Sequence, residues 1–150
     1  MATALLIKTT GEVEVTTVPE EGGHLVLNEL CGGWLDCVRT DDLVAYVNDE
    51  GLLIGLAPNA LASLMFGRPL VGDVVVLGAL NEEGDYDGEN HDVPEQYDPS
   101  YLETLSKTLL ADENVMKALA LAVQEVLSTP PTITAFTDEE FDAWLNGEGA

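Results

Sequence analysis

The sequence contains very few basic residues, and this shortage restricts the partners that the protein can have. Lysine and arginine together number 5 in 150 residues, against 28 aspartates and glutamates, so the formal net charge is -23 and the sequence pI is about 4.1. A chain with this charge repels nucleic acid and anionic membranes and attracts basic surfaces or cations. We therefore expect neither direct nucleic-acid binding nor a membrane partner.

Long apolar runs and catalytic motifs are also missing. The sequence has no apolar stretch of about 18 residues and no basic segment followed by an apolar one, so we expect a cytoplasmic protein without a membrane span or a signal peptide. Its two histidines, His24 and His91, belong to no zinc-binding or nucleophile motif. The sequence thus predicts a protein that is not an enzyme and uses no cofactor.

Cysteine is equally scarce. Cys31 and Cys37 lie in apolar surroundings and match neither a zinc-ligand nor a redox pattern. In a reducing compartment such residues are typically buried thiols. We therefore predict that both are buried, and we assign them no chemistry.

The first half of the chain alternates between strand and helix patterns, and a hydrophobic content of 46% is enough for a folded core. Turn residues and glycines separate the segments, and Asn59 is suited to be the N-cap of the second helix. The pattern predicts an α+β fold with a small, mostly antiparallel sheet and two short helices, in the order ββαβββαβ. The predicted segments are a hairpin (4–8 and 12–18), a helix (24–30), a three-strand meander (34–38, 43–47 and 52–56), a helix (60–66) and a central strand (74–78).

The second half changes character after residue 78. Residues 79–98 are rich in Asp, Glu, Gly and Asn without periodicity, which predicts an acidic loop or linker. Asp98 followed by proline is a strong helix start, and Asp112 is suited to cap a second, longer helix. We therefore predict a core domain over 1–78, a linker over 79–98 and a helical extension over 99–150.

Four segments of the first half resemble a known family: CGGWLD, YVNDEGLLIGL, PNALA and VGDVVVLG, within residues 31–78. In order and spacing they are similar to a family of short phage and bacterial proteins catalogued as a domain of unknown function. The resemblance covers about residues 2–78 and implies the fold, a phage or mobile-element origin and hence a bacterial host cell as the setting, but it transfers no catalytic residue. The matching positions are Gly32, Gly33, Asn48, Gly51, Asn59, Ala62, Gly72 and Asp73.

The acidic stretch is the candidate site. Arg68 and Lys107 enclose 38 residues without a base, so the negative charge is concentrated in one region. Proteins that bind nucleic acid carry arrays of basic side chains, and a folded acidic protein can occupy such an array in place of the nucleic acid. We therefore predict a basic host protein as the partner. The candidate contact residues are Glu82, Glu83, Asp85, Asp87, Glu89, Asp92, Glu95 and Asp98, with Phe141 and Trp144 as apolar anchors on an acidic amphipathic helix.

Three alternatives remain open. The acids could simply keep the protein soluble, while helices over 99–127 form the seam of a homodimer or larger assembly. The helix with Phe141 and Trp144 could pack on its own domain. A weak calcium loop is the third alternative, because acids recur at alternate positions from Glu83 to Asp87 as in an EF-hand, although Pro94 stands where the bidentate glutamate should be. We predict no specific metal ligand.

Overall fold

The computed structural model describes residues 2–33, 35–52 and 54–128, and the predicted anchors Phe141 and Trp144 lie outside these ranges. The chain begins with an antiparallel hairpin of β1 (Ala2–Ile7) and β2 (Val13–Val18). The predicted hairpin is therefore confirmed. Among the described residues, no helix is long and apolar enough to cross a membrane.

The described strands form one antiparallel sheet. Its strand order is β2-β1-β5-β4-β3, where β3 spans Leu35–Arg39, β4 Leu43–Asn48 and β5 Val74–Leu80. β5 pairs with both β1 and β4, and six of its seven residues are buried. Its continuous apolar run predicted a strand at the sheet centre, which is confirmed.

The described residues form four helices, α1 (Gly23–Cys31), α2 (Ala60–Phe66), α3 (Pro99–Ala111) and α4 (Glu113–Ser128). The predicted N-caps are confirmed, since Asn59, Asp98 and Asp112 each accept a hydrogen bond from a backbone N–H in the first turn of the following helix. Both short helices end at glycines in the left-handed region, Gly32 and Gly67.

The two faces of the sheet are covered by different helices. On one face, Leu27 and Cys31 of α1 pack against side chains such as Leu77. On the other, Leu61 of α2 and Leu102 of α3 join a cluster around Val76. Because α3 contributes to this cluster, the first helix of the helical half packs on the sheet, while α4 packs against α3. The boundaries predicted at residues 78 and 98, between the core domain, the linker and the helical extension, remain a prediction.

One predicted strand is wrong. The segment 52–56 was expected to be the third strand of a meander, but the described residues there form consecutive turns. The backbone N–H groups of Ile54 and Leu56 donate to the carbonyls of Glu50 and Gly51, so they are not available for strand pairing. β4 pairs with β5 instead, and the order up to residue 80 is ββαββαβ.

Two further expectations are corrected. The acidic stretch, predicted to be a loop, contains β6 (Tyr86–His91), which pairs with β5. A turn builds this hairpin: the Asn81 side chain accepts hydrogen bonds from the backbone N–H groups of Glu83 and Asp85. Cys37, predicted to be buried, is exposed because it lies on the edge strand β3, whereas Cys31 is buried as predicted.

Candidate functional site

The acidic strand β6 departs from regular pairing and bulges away from its neighbour. Residues 87–90 lie between the paired residues Tyr86 and His91, whereas only Ala79 separates their partners on β5. Two side-chain contacts hold the bulged strand. The hydroxyl of Tyr46 on β4 donates to Oδ1 of Asn90 at 2.6 Å, and the guanidinium of Arg39 lies 3.5 Å from the centre of the Tyr86 ring.

A cleft of about 530 Å³ lies between the bulged strand and the start of α1. Pro19, Glu20, Gly23 and His24 line one side and residues 88–92 line the other. Ala2, Val18 and Tyr46 complete the lining. Tyr46 is half-buried and belongs to the α1 side of the sheet, so the cleft opens on that face.

The composition of this cleft is unusual for the chain. Both histidines of the sequence line it, although 67 positions separate them, together with the carboxylates of Glu20, Glu89 and Asp92. Among the described residues that line it, none is a lysine or an arginine. Sequence reasoning did not find Glu20 or His24, because neither belongs to a motif and only the chain fold brings them near β6.

Within β6, Asp87, Glu89 and His91 lie at alternate positions on one side of the strand. The Nε2 atom of His91 and the Oδ1 atom of Asp87 are 2.8 Å apart. This hydrogen bond, with one from the Glu89 backbone N–H, holds the pKa of the Asp87 carboxyl below its usual value.

The potential ligand atoms of these three residues lie within 4.8 Å of one another. Two carboxylate oxygens and an imidazole nitrogen are ligands that several divalent transition ions accept. The arrangement differs from the EF-hand alternative, since Asp87 lies within the extended strand β6, Asp85 directly precedes it, and no described helix adjoins them. The triad is therefore chemically able to take a metal ion. Sequence reasoning assigned no ligand here because the acidic stretch fails the EF-hand pattern at Pro94.

All eight acids predicted as contact residues are exposed. Three of them have structural roles: Asp87 contacts His91, Asp92 accepts a 2.7 Å hydrogen bond from the Thr3 N–H, and Asp98 caps α3. Among the described residues, the side chains of the other five make no hydrogen bond or ion pair. These five are Glu82, Glu83, Asp85, Glu89 and Glu95, and we call the eight residues together the acidic patch.

The bases of the described chain make no ion pair with this patch, and Arg39, which lies beside it, stacks on the ring of Tyr86. Lys8 lies 3.5 Å from Glu12 and 3.1 Å from Glu14, and Lys107 lies 3.9 Å from Glu103. Within the described ranges, no lysine or arginine makes an ion pair with a member of the acidic patch. Its negative potential is therefore presented directly to solvent.

A family model for the domain of unknown function DUF3846 matches residues 1–105. The chain belongs to this family. The resemblance seen in the sequence is thus confirmed. The match extends beyond the expected residues 2–78 and includes the acidic patch, β6 and the first half of α3. Comparisons with curated proteins and with solved structures find no match.

Proposed function

We propose that this DUF3846 protein is a non-enzymatic binding protein that uses the acidic patch to occupy a basic surface of a host protein. One observation carries the proposal. Eight exposed carboxylates lie within 17 consecutive residues, 82–98, and no described lysine or arginine pairs with any of them.

The physics of such a surface favours a partner with many lysines and arginines. Duplex DNA carries one negative charge per about 1.7 Å of its axis, and proteins that bind it are shaped to that charge density. The patch presents its carboxylates on a strand and its adjoining turns, which position them better than a flexible linker would. The proposed activity is inhibition, because a basic surface that holds this protein cannot hold nucleic acid. The family resemblance implies a bacterial host cell as the setting.

The first experiment is capture of partners from bacterial lysate with the purified chain, followed by elution in steps of salt. We expect a basic nucleic-acid-binding protein that is retained at about 0.15 M salt and displaced by DNA or by higher salt. No captured basic protein, or a partner that survives both high salt and DNA, would contradict the proposal.

A matched pair of variants tests whether the patch or the total charge is responsible. The patch variant carries Glu82→Gln, Glu83→Gln, Asp85→Asn and Glu95→Gln. The control removes four exposed carboxylates elsewhere, with Glu29→Gln, Asp41→Asn, Asp49→Asn and Glu50→Gln. We expect the affinity of the patch variant for the partner to fall at least about tenfold and to depend less steeply on salt concentration. The affinity of the control should fall about twofold. Equal losses would show that only net charge matters.

A second candidate function is self-association through α4, which one observation favours. No side chain of this helix is buried among its described residues, and Leu121, Val126 and Leu127 are exposed. Monomeric proteins seldom present several large apolar side chains along one helix. Light scattering tests the idea: a homodimer that Leu121→Glu dissociates would support it, and a chain that stays monomeric at about 100 µM would contradict it.

A further inference from the structure

We propose that the cleft between α1 and β6 is a binding site for an arginine side chain of the basic partner. The inference rests on the proposed function and deepens it, since it assigns to one cavity a preference that the acidic patch alone does not have. An acidic surface attracts lysine and arginine alike, whereas a shaped cleft can distinguish them.

Charge is the first argument. Glu20 and Glu89 line opposite sides of the cleft, and among the described residues neither side chain makes a hydrogen bond or an ion pair. Asp92 lines the cleft as well, and one of its oxygens is already bound to Thr3. A guanidinium group has five donors in a planar fork and matches two carboxylates better than a compact ammonium group does.

The second argument is the aromatic residue in the lining. Tyr46 is held by its hydrogen bond to Asn90, and burial raises the pKa of its hydroxyl, so the ring stays neutral. Guanidinium groups stack on aromatic rings, and arginine does so more often than lysine. The protein already contains one such contact outside the cleft, between Arg39 and Tyr86.

The third argument is size and rigidity. A volume of about 530 Å³ lies in the usual range for ligand sites and exceeds a single guanidinium group, which leaves room for the alkyl chain and flanking backbone. The α1 side is closely packed, because a Cβ at Gly23 would lie 3.1 Å from Val18. The Tyr46–Asn90 hydrogen bond fixes the β6 side. The cleft is therefore formed before the partner arrives.

The test compares two peptides of equal charge, hexaarginine and hexalysine, by calorimetry on the full chain at about 0.15 M salt, where surface charge is largely screened. EDTA is present so that a metal ion on Asp87, Glu89 and His91 does not contribute. We expect hexaarginine to bind at least about fivefold more tightly than hexalysine. Equal affinities would overturn the inference.

Two double variants locate the preference. Glu20→Gln with Glu89→Gln removes the unpaired carboxylates of the cleft, and Asp49→Asn with Glu50→Gln removes the same charge outside both the cleft and the acidic patch. We expect the cleft variant to lose about tenfold for hexaarginine and to bind both peptides equally. The control should lose about twofold and keep its preference. Equal behaviour of the two variants would remove the cleft from the mechanism.

The outcomes separate this inference from the proposed function. If a basic host protein is captured and released by salt, yet both variants and both peptides behave alike, the cleft has no role and the acidic patch remains the binding surface. If neither the peptides nor any basic lysate protein binds, both proposals fail. If Tyr46→Leu, with unchanged circular dichroism, abolishes the arginine preference alone, the aromatic contact is supported.

Discussion

β5 and β6 are neighbours in one hairpin, but they differ completely in chemistry. β5 reads VVVLGAL with six of seven residues buried, whereas β6 reads YDGENH with four exposed and two half-buried residues. β5 has strand neighbours on both sides at its Val75 and Val76 and is held by packing, while β6 pairs irregularly with one partner. The fold therefore depends on β5, whereas β6 adds little buried packing and can carry charged side chains.

The comparison extends to polar residues, since the buried core and the charged edge of the sheet each contain an asparagine with a different environment. Asn59 is 1% exposed, donates to the carbonyls of Ile7 and Gly72, and accepts from the Ala62 N–H. Asn90 accepts one hydrogen bond from Tyr46 at the edge of the cleft. A buried polar group that loses its partners costs much more than an exposed one.

The largest expected effect is on the free energy of unfolding when Asn59 is replaced. Asn59→Ala leaves two carbonyls and one N–H unpaired in the core and removes the cap of α2, so we expect a loss of about 3 kcal/mol. Asn90→Ala should cost about 1 kcal/mol or less, because water can replace the lost partner. Urea unfolding of both variants measures the difference. Similar losses of unfolding free energy in the two variants would contradict the conclusion that the core determines stability and the charged edge does not.

The next prediction concerns the reactivity of the two cysteine thiols, one of which is buried and the other exposed. Burial against the sheet raises the pKa of Cys31 to about 11, whereas Cys37 is exposed on β3. At about pH 8, Cys31 is almost entirely protonated and sterically protected, so it should react at least about 100-fold more slowly than Cys37.

A thiol-specific chromogenic disulfide reagent measures this prediction. The native protein should release one equivalent quickly, and the unfolded protein should release two. Cys37→Ser should abolish the fast phase, and Cys31→Ser should leave it unchanged. Two fast equivalents in the native protein would place Cys31 at the surface.

The third prediction concerns the junction between the two strands. A Cβ at Gly78 would collide with the backbone carbonyl of Asp92, which follows β6 directly. Gly78→Ala should therefore force the end of β6 away from β5, at a cost of about 2 kcal/mol. Hydrogen exchange should show faster exchange at β6 amides and little change in the middle of β5.

Gly84→Ala is the matched control for this variant. Gly84 has a φ of +80° but no atom within 4 Å of an added Cβ, so the cost is conformational, about 1 kcal/mol, without a collision. If the two variants changed β6 exchange equally, close packing at Gly78 would not be what positions the strand.

The smallest expected effect is on the ionisation of Asp87. Its pKa is lowered in the folded state by His91, so its contribution to stability is present above the unfolded pKa and is lost as the pH falls through the folded pKa. His91→Ala should raise the Asp87 pKa towards its ordinary value, and the acid side of the stability profile should become less steep. An NMR titration of carboxyl carbons measures this, with His24→Ala as the control that should not move Asp87.

Much of the fold could be predicted because local chemistry determines it. The hairpin, the caps at Asn59, Asp98 and Asp112, and the buried strand β5 all follow from side-chain pattern or from a residue suited to one backbone geometry. The predicted strand at 52–56 failed because its apolar composition fits both a strand and a tight set of turns. Whether this segment forms a strand depends on which segment pairs with β4, and that pairing is a long-range interaction.

The sequence by itself determined the regional acidity, the class of the fold and the identity of the exposed carboxylates, because charge and hydrophobic periodicity are local properties. Only the tertiary structure decided that the acidic stretch is a strand, that Cys37 is exposed and that Glu20, His24, Glu89 and His91 share one cleft. These features depend on pairing between segments far apart in the chain. The free energy of such pairing comes from neighbours that no local pattern specifies.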